Sequence, residues 1–583
     1  MHVRPRPEAG RSALRRAVSA AVAVLLGSTT LVVSAHQAQA ATGCSISYRA
    51  HSWDDGFTGT VAITNHGDRV GDGWLLEWDY AGNQTVKHSW NSTFTQAGRH
   101  VTLRNVAWNA SLPTNGTVSA GFNAAYSGTN TAPTTFRLNG VTCNDDLPPA
   151  DHPTNGPPST PPAPDGSHLD NPYIGRGYVN PEWRANVLTL AGGSRIADNP
   201  TAVWLDRIAA IGSTSGSSSD GSMGLRDHLD TALAQGADYI QLVIYNLPGR
   251  ECAARGVSGE LAPTELVRYQ KEYIDAIAKI EEDPRYANLR IIHITEPGSL
   301  VRLITNTRSS PFATARCDAM LAYGNYVKGI QYALGTFRQP NVYQYLDAGH
   351  HGSIGWPLHF DQTAELLAVT ARGAVGGVAT VDGFIVNTAN YSALREPFLN
   401  ANTTLVGTSV KVSKWVDWND YVDELTFAQG LRTRLLTAGF EPDIGMLIDT
   451  SRNGWGGPNR PTAPSTSFHV DTFVDESRVD RRISIGNWCN QSGAGLGERP
   501  TANPEPGIDA YVWAKPPGES DGSSVMLPGE DGQGFDEMCG QHHVWHVGGS
   551  NQLPTGALPN APVYGAFFPA HLLQLMANAY PTL

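Results

Sequence analysis

The chain has 583 residues, 40% of them hydrophobic and 16% charged, which suffices for one large domain and a smaller one and excludes a disordered chain. Its formal net charge of −13 repels phosphate backbones and excludes nucleic acid as a partner, so an uncharged ligand is expected. The even set of cysteines, Cys44, Cys143, Cys252, Cys317, Cys489 and Cys539, points to an oxidising compartment and to disulfides.

At the N-terminus, Arg4, Arg6, Arg11, Arg15 and Arg16 precede an apolar run from Ala17 to Val33 and a small-residue site at Ala38 and Ala40. Residues 1–40 read as a secretory signal peptide cut after Ala40, with the Arg15–Arg16 pair leaving general and twin-arginine export both open. Losing these five Arg and one Glu moves the formal charge from −13 to −17. A secreted, extracellular protein is expected, with no membrane association after cleavage, because no other run is long and apolar enough to span a bilayer.

From Cys44 to Cys143 short alternating runs, "TGTVAITN", "GWLLEWDY", "HVTLRNVAW" and "TTFRLNG", are separated by Gly and Asn turns. This spacing predicts an all-β sandwich over residues 41–143, its ends stapled by Cys44 and Cys143. Trp53, Trp90 and Trp108 stand beside turns in polar surroundings, whereas Trp74 heads a strand and reads as core. Exposed indoles stack on pyranose faces at about 1 kcal/mol per contact, and burial of all of them in the core is the competing reading. Residues 144–168 contain eight prolines and almost no apolar residues, so they form an extended linker.

From Leu169 to Leu583 apolar runs alternate with helical patterns: "YIQLVIYNLP", "LRIIHITEP", "VYQYLDAGH", "FIVNTANY", "DIGMLIDTSR" and "DAYVWAKPPG". Leu266, Tyr269, Tyr273, Ile274, Ile277 and Ile280 recur at helical spacing between the first two. Such units imply a parallel α/β sheet, closed as a barrel or doubly wound, with chemistry at the C-terminal strand ends. The polar clusters sit at those ends.

The stretches "WDDGFTGTVAITNHG", "GDGWLLEWDY", "VTLRNVAWN" and "FRLNGVTC" resemble carbohydrate-binding module family 2. That resemblance implies that Trp53, Trp90 and Trp108 form a flat cellulose-binding face. In the large domain, "VIYNLPGRECA", "ITEPGSL", "YLDAGHHGSIGW", "NWCN" and "WAKPPGESDGSS" resemble glycoside hydrolase family 6, the inverting cellobiohydrolases and endoglucanases. The resemblance implies a distorted seven-stranded β/α barrel over residues 169–583, disulfides Cys252–Cys317 and Cys489–Cys539, a β-1,4-glucan such as cellulose as the partner, and no cofactor or metal. A monomer is expected.

Inversion needs a carboxylic acid that protonates the leaving oxygen and a carboxylate that activates water, roughly 6.5–9.5 Å apart. By resemblance, Asp521 is the candidate base, with Lys515 and Glu519 beside it as sugar-binding or charge-setting groups. The acid position of the family's "EPDS" is Gly298 here, its "RDC" aspartate is Glu251, a nearby serine is Val257, and a subsite aromatic is Ser353. Two readings follow. Either general acid catalysis is lost and the domain is an impaired glycan binder, or the longer Glu251 reaches the space Gly298 vacates, its pKa raised by burial and by carboxylates such as Asp521. Trp183, Trp356 and Trp488 match aromatics that floor subsites, while Tyr245, Arg250, Asp347, His350, Asn387 and Arg452 occupy cleft positions. Long segments around 453–482 and after Asp521 favour a tunnel and chain-end attack. His542, His543 and His546 invite a zinc reading, against which stands the lack of a matching carboxylate spacing.

Overall fold

The computed structural model describes residues 43–53, 56–71, 73–90, 92–106, 109–114, 116–143, 168–212, 222–254, 259–308, 310–526, 535–547 and 551–583, excepting some strand side chains. The expected signal peptide and nearly all of the linker therefore lie outside the described residues, as do Val257 and Trp108. By its contacts the chain divides into two compact units, at residues 156/157.

The first unit is two antiparallel sheets. One orders the strands Cys44–Trp53, Gly56–Asn65, Thr117–Ala125 and Thr85–Trp90; the other orders Ser92–Ala97, His100–Asn105, Leu75–Asp79, Phe136–Leu138 and Val141–Cys143. Alternation places Leu76 and Trp78 inward, where Trp78 stacks on Phe122 with ring centroids 5.5 Å apart. Trp74 is core, as expected, its Nε1 donating to the Asn109 carbonyl at 2.8 Å. Cys44 and Cys143 are bonded.

The second unit is built on an eight-stranded sheet: β1 Val203–Leu205, β2 Tyr239–Ile244, β3 Arg290–Thr295, β4 Val342–Asp347, β5 Gly383–Val386, β6 Gly445–Asp449, β7 Thr501–Glu505 and β8 Ile508–Val512, in the order β1-β2-β3-β4-β5-β6-β8-β7. Seven strands are parallel, and β7 pairs antiparallel with β8 at the edge. The expected β/α architecture is present as a curled sheet with seven parallel strands, to which the antiparallel edge strand β7 is added. No ladder joins β1 to β8 among the described residues; Ala202 N donates to the Trp513 carbonyl at 3.1 Å and Trp204 Nε1 to that of Ala514 at 2.8 Å. The sequence missed β1 because three residues are too short for a pattern, and β7 because its polar, proline-bearing "TANPE" reads as an edge or a loop.

Successive side chains alternate between two apolar layers. Val243, Ile292, Ile294, Tyr345, Ile385, Leu447 and Val512 fill one side of the curled sheet, and Leu242, Ile244, Ile291, Phe384, Met446 and Ile448 pack under the helices. The expected helix after β2 is present, as Leu266–Arg268, a π-helical turn Tyr269–Ile274 and Asp275–Glu281. The π turn carries two buried tyrosines that reach the strand ends. Tyr269 Oη donates to Glu296 at 2.9 Å, and Tyr273 Oη accepts from Tyr245 N at 3.0 Å. Cys252–Cys317 and Cys489–Cys539 are bonded as the resemblance implied.

Candidate active site

Asp521 leaves β8 by way of Lys515 and two prolines and ends in a cradle of donors. Its Oδ1 accepts from Arg452 Nη1 at 2.7 Å, and its Oδ2 from Tyr391 Oη at 2.7 Å and Asn490 N at 2.8 Å. Asn490 closes the pair by accepting from Asp521 N at 2.9 Å. Burial by itself raises a carboxyl's pKa, but here Arg452, Lys515 and the Asn490 N–H outweigh it and hold Asp521 below the usual carboxylate range. Oδ2 is saturated by two donors whereas Oδ1 takes one, so Oδ1 is the oxygen with room to receive a proton from water. The Cys489–Cys539 bridge backs this cradle closely: a Cβ on Gly522 would lie 2.9 Å from Cys539 Sγ. Lys515 Nζ lies 3.3 Å from Glu519 Oε2, and burial, opposed by that lysine, pushes Glu519 up to about 7.

The opposite rim is built from the ends of β2, β3 and β4. Gly298 has φ +73 and begins the helix Ser299–Thr305, with its N–H given to Asp347 Oδ2 at 2.8 Å. A Cβ at Gly298 would meet only Glu251 Oε1 at 3.7 Å and Arg302 Nε at 3.8 Å. The longer side chain of Glu251 thus does lie against the vacated space. Its charge state corrects the expectation, however. Burial raises the pKa, but Arg302, Tyr245 and Arg250 outweigh it, so the carboxyl is held below its usual value. Glu251 Oε1 accepts from Tyr245 Oη at 2.6 Å and Oε2 from Arg302 Nη2 at 2.9 Å. Asp347, which also accepts from Gly349 N at 3.2 Å, is pushed up to about 6 by burial.

The other candidates divide by exposure. Trp356 and Trp488 are half-buried, and Trp356 Nε1 donates to the Asp417 carbonyl at 2.6 Å. Trp183 departs from its expected place on an open floor. It is 3% exposed, packed edge-on to Trp513 and bonded through Nε1 to the Pro517 carbonyl at 2.9 Å, because its helix buries that face against the chain leading to Asp521. Asn387, with φ +62, is fully buried and ties β5 to β6 through the Asp449 carbonyl at 2.9 Å. His350 Nδ1 faces Ser392 Oγ at 3.3 Å; burial first, then Arg482, keeps the ring neutral, well below its usual pKa. Ser353 Oγ turns inward to the His350 carbonyl at 2.9 Å. Arg250 lies over the Tyr245 ring, 4.2 Å from its centroid.

Tyr391, Asn490, Arg302 and Glu296 were not among the sequence candidates. Glu296, adjacent to the Pro297–Gly298 turn, accepts from Asn246 N at 3.0 Å and Leu247 N at 3.2 Å, and burial pushes it to about 7. Arg302 stands four residues after Gly298, one helical step, which is a spacing signal that could have found it. Tyr391 and Asn490 carry no such signal, since they reach Asp521 from sequence separations of 130 and 31.

Trp53 and Trp90 end strands of the first unit, but their side chains, like all of Trp108, lie outside the description. His542 is exposed, His543 Nε2 lies 3.3 Å from Glu537, and the side chain of His546 lies outside the description. Among the described residues no three His, Cys, Asp or Glu side chains converge as metal ligands.

The model of glycosyl hydrolases family 6 matches residues 184–579, and that of a cellulose binding domain matches 44–143. Exoglucanase A of Cellulomonas fimi is 44% identical over 441 residues, 71% of this chain and 49% of that protein, so the chain spans about half of its length. The 1,4-beta-D-glucan cellobiohydrolase C of Emericella nidulans is 31% identical over 428 residues, 71% of this chain and 79% of the relative. Among solved structures, the catalytic domain of Cellulomonas fimi Cel6B superposes with a TM-score of 0.67 at 43% identity, covering 72% of this chain and 97% of that one.

Proposed function

We propose that this chain, which belongs to glycosyl hydrolases family 6 and carries a cellulose binding domain ahead of it, is an exported, monomeric, cellulose-binding hydrolase of β-1,4-glucan, of cellobiohydrolase type and inverting. The observation that carries the reading is the Asp521 cradle: a buried carboxylate kept ionised by Arg452, with one oxygen still able to take a proton. In the proposed step water attacks the anomeric carbon from the Asp521 side and its proton passes to Oδ1. The glycosidic bond breaks as the leaving oxygen takes a proton from the other rim. Glu251, whose Oε1 lies 3.7 Å from where a side chain at position 298 would begin, supplies that proton in the fraction of molecules in which it is protonated. The two carboxyls recover their starting states by exchange with solvent, and the product has the inverted configuration. Trp356 and Trp488 offer apolar faces to glucose rings, and Trp53, Trp90 and Trp108 give the first unit its cellulose-binding face.

A second reading is favoured by one specific observation, the Arg302–Glu251 ion pair at 2.9 Å. An acid kept ionised protonates leaving groups poorly, so the domain on this reading holds its polymer with little turnover. Both are tested by following cellohexaose with the full chain by NMR of the product anomers, beside Glu251→Gln. An inverted product that disappears in the variant supports the hydrolase with Glu251 as acid. Silence of the unmodified protein, with cellulose binding intact, supports the second reading. Full activity of Glu251→Gln removes Glu251 from the mechanism.

A further inference from the structure

The oxygens of Glu251 are not equivalent. Oε2 accepts from Arg302 Nη2 at 2.9 Å and Oε1 from Tyr245 Oη at 2.6 Å, and Oε1 is the oxygen 3.7 Å from where a side chain at Gly298 would begin. A guanidinium only donates, so a proton on Oε2 would oppose an N–H head-on. A phenol hydroxyl both donates and accepts, so Tyr245 can turn its hydrogen away and let Oε1 carry a proton. Arg302 is itself fixed from the helix Ser299–Thr305, whose first turn starts at Gly298. Had position 298 borne a side chain, that chain would have met Arg302 Nε and Glu251 Oε1 first.

We propose that Arg302 is a positioning residue that acts through Glu251: it holds Oε2 and turns Oε1 toward the open space at Gly298, so that Oε1 is the oxygen through which this carboxyl exchanges a proton with that space. The inference rests on the reading of the cleft as a glucan hydrolase site for its consequence, though not for its chemistry. Among the described residues, the groups facing Glu251 include Tyr245 and Arg250 from the chain after β2, Arg302 from the helix after β3, Tyr326 from the helix Asn325–Thr336, and Tyr564 from the C-terminal segment. The phenols stay neutral because burial raises them, and Arg250 remains over the Tyr245 ring, so removal of Arg302 takes away the largest opposing charge on Glu251.

The test compares the full chain with Arg302→Met, Arg302→Lys and Arg302→Met/Glu251→Gln. The Glu251 carboxyl is titrated by carbon NMR, assigned by its loss in Glu251→Gln. Rates are measured on cellohexaose and on 2,4-dinitrophenyl cellotrioside, whose leaving group needs no proton. In Arg302→Met the Glu251 titration moves up by about one pH unit or more, as removal of an adjacent opposite charge does. Cellohexaose hydrolysis near neutral pH then rises about tenfold, since each unit multiplies the protonated fraction by that factor, and the activated substrate gains nothing. Arg302→Lys keeps the titration near the unmodified value, and the double variant loses the gain. An unmoved titration in Arg302→Met, or a gain that survives Glu251→Gln, overturns the proposal. A titration that moves as stated while neither substrate is cleaved by any variant upholds the role of Arg302 and overturns the hydrolase reading instead.

Discussion

The surroundings of Asp521 and of Glu251, both at the C-terminal ends of the sheet's strands, are built on opposite principles. Asp521 is gripped by Arg452, Tyr391 and Asn490, brought from the chain after β6, the chain after β5 and the residue after Cys489, ahead of β7. Beside Gly298, a carboxyl from the neighbouring strand end, Glu251, stands in an ion pair with Arg302, one helical turn after the glycine. The first takes donors from three separate segments; at the second, burial is opposed by Arg302 first, then by Tyr245 and Arg250. A base needs only to stay ionised, which salt bridges favour, whereas an acid must be protonated at working pH, which the same salt bridge opposes.

The comparison is broken most severely by Arg452→Met. It leaves Asp521 buried without its charge partner, a loss of about 3–5 kcal/mol for a pair this enclosed, read in a denaturant titration of the full chain. A loss below about 1 kcal/mol would mean that Tyr391 and Asn490 suffice, and that the grip of Arg452 is not what holds the base.

The pH dependence of stability separates the rims next. Burial raises the folded-state pKa values of Asp347, Glu296 and Glu519 to about 6, 7 and 7, well above those of free carboxyls. A carboxyl raised on folding contributes stability that is present below its unfolded pKa and lost as pH rises through its folded one. Asp521 and Glu251 are lowered, so their contributions are present above the unfolded values and lost as pH falls through the folded ones. Tm of the large unit is therefore expected to decline between about pH 4.5 and 7.5 and to fall again in stronger acid, with Glu519→Gln flattening the upper decline. A Tm that climbs steadily to neutrality contradicts this.

Gly298→Asp sharpens the comparison. With φ +73 the position strains any L side chain by about 1–2 kcal/mol, but the Cβ meets nothing closer than 3.7 Å. The variant is expected to fold with that modest loss and to place a second carboxyl beside Glu251. The resulting like-charge pair raises one of the two pKa values, which extends cellohexaose hydrolysis to higher pH. A variant that folds without any such extension shows that the vacated space is not where the leaving oxygen comes.

The smallest effect is expected at Trp356→Ala. Loss of a half-exposed stacking face costs about 1 kcal/mol, roughly fivefold in affinity for cello-oligosaccharides, measured by calorimetry, with a small drop in Tm from the lost bond to the Asp417 carbonyl.

Much of this was readable one-dimensionally. The sandwich with its Cys44–Cys143 staple, six of the parallel strands and the polar clusters at their ends follow from periodicity and from motifs in which neighbours in sequence do the work; the other two disulfides were implied by the family resemblance. Gly298 and Glu251 were visible as departures for the same reason. What the chain order concealed was every contact made across strands. Nothing in "NTANY" says that Tyr391 bonds Asp521, and nothing in "PEWRANVL" says that Trp183 turns its indole into the core. The left-handed φ of Glu251, Glu296 and Asn387, at +53, +52 and +62, is likewise imposed from outside, since these residues do not choose that region alone.

The deepest division concerns charge. Sequence alone determined that a glutamate stands in "REC" and a glycine in "EPGS", because composition and motif position are local properties. Only the tertiary structure decided that this carboxyl is ionised, because a pKa is set by burial and by charges a few ångströms away. Here those are Arg302, Arg250 and Tyr245, gathered from the ends of two adjacent parallel strands.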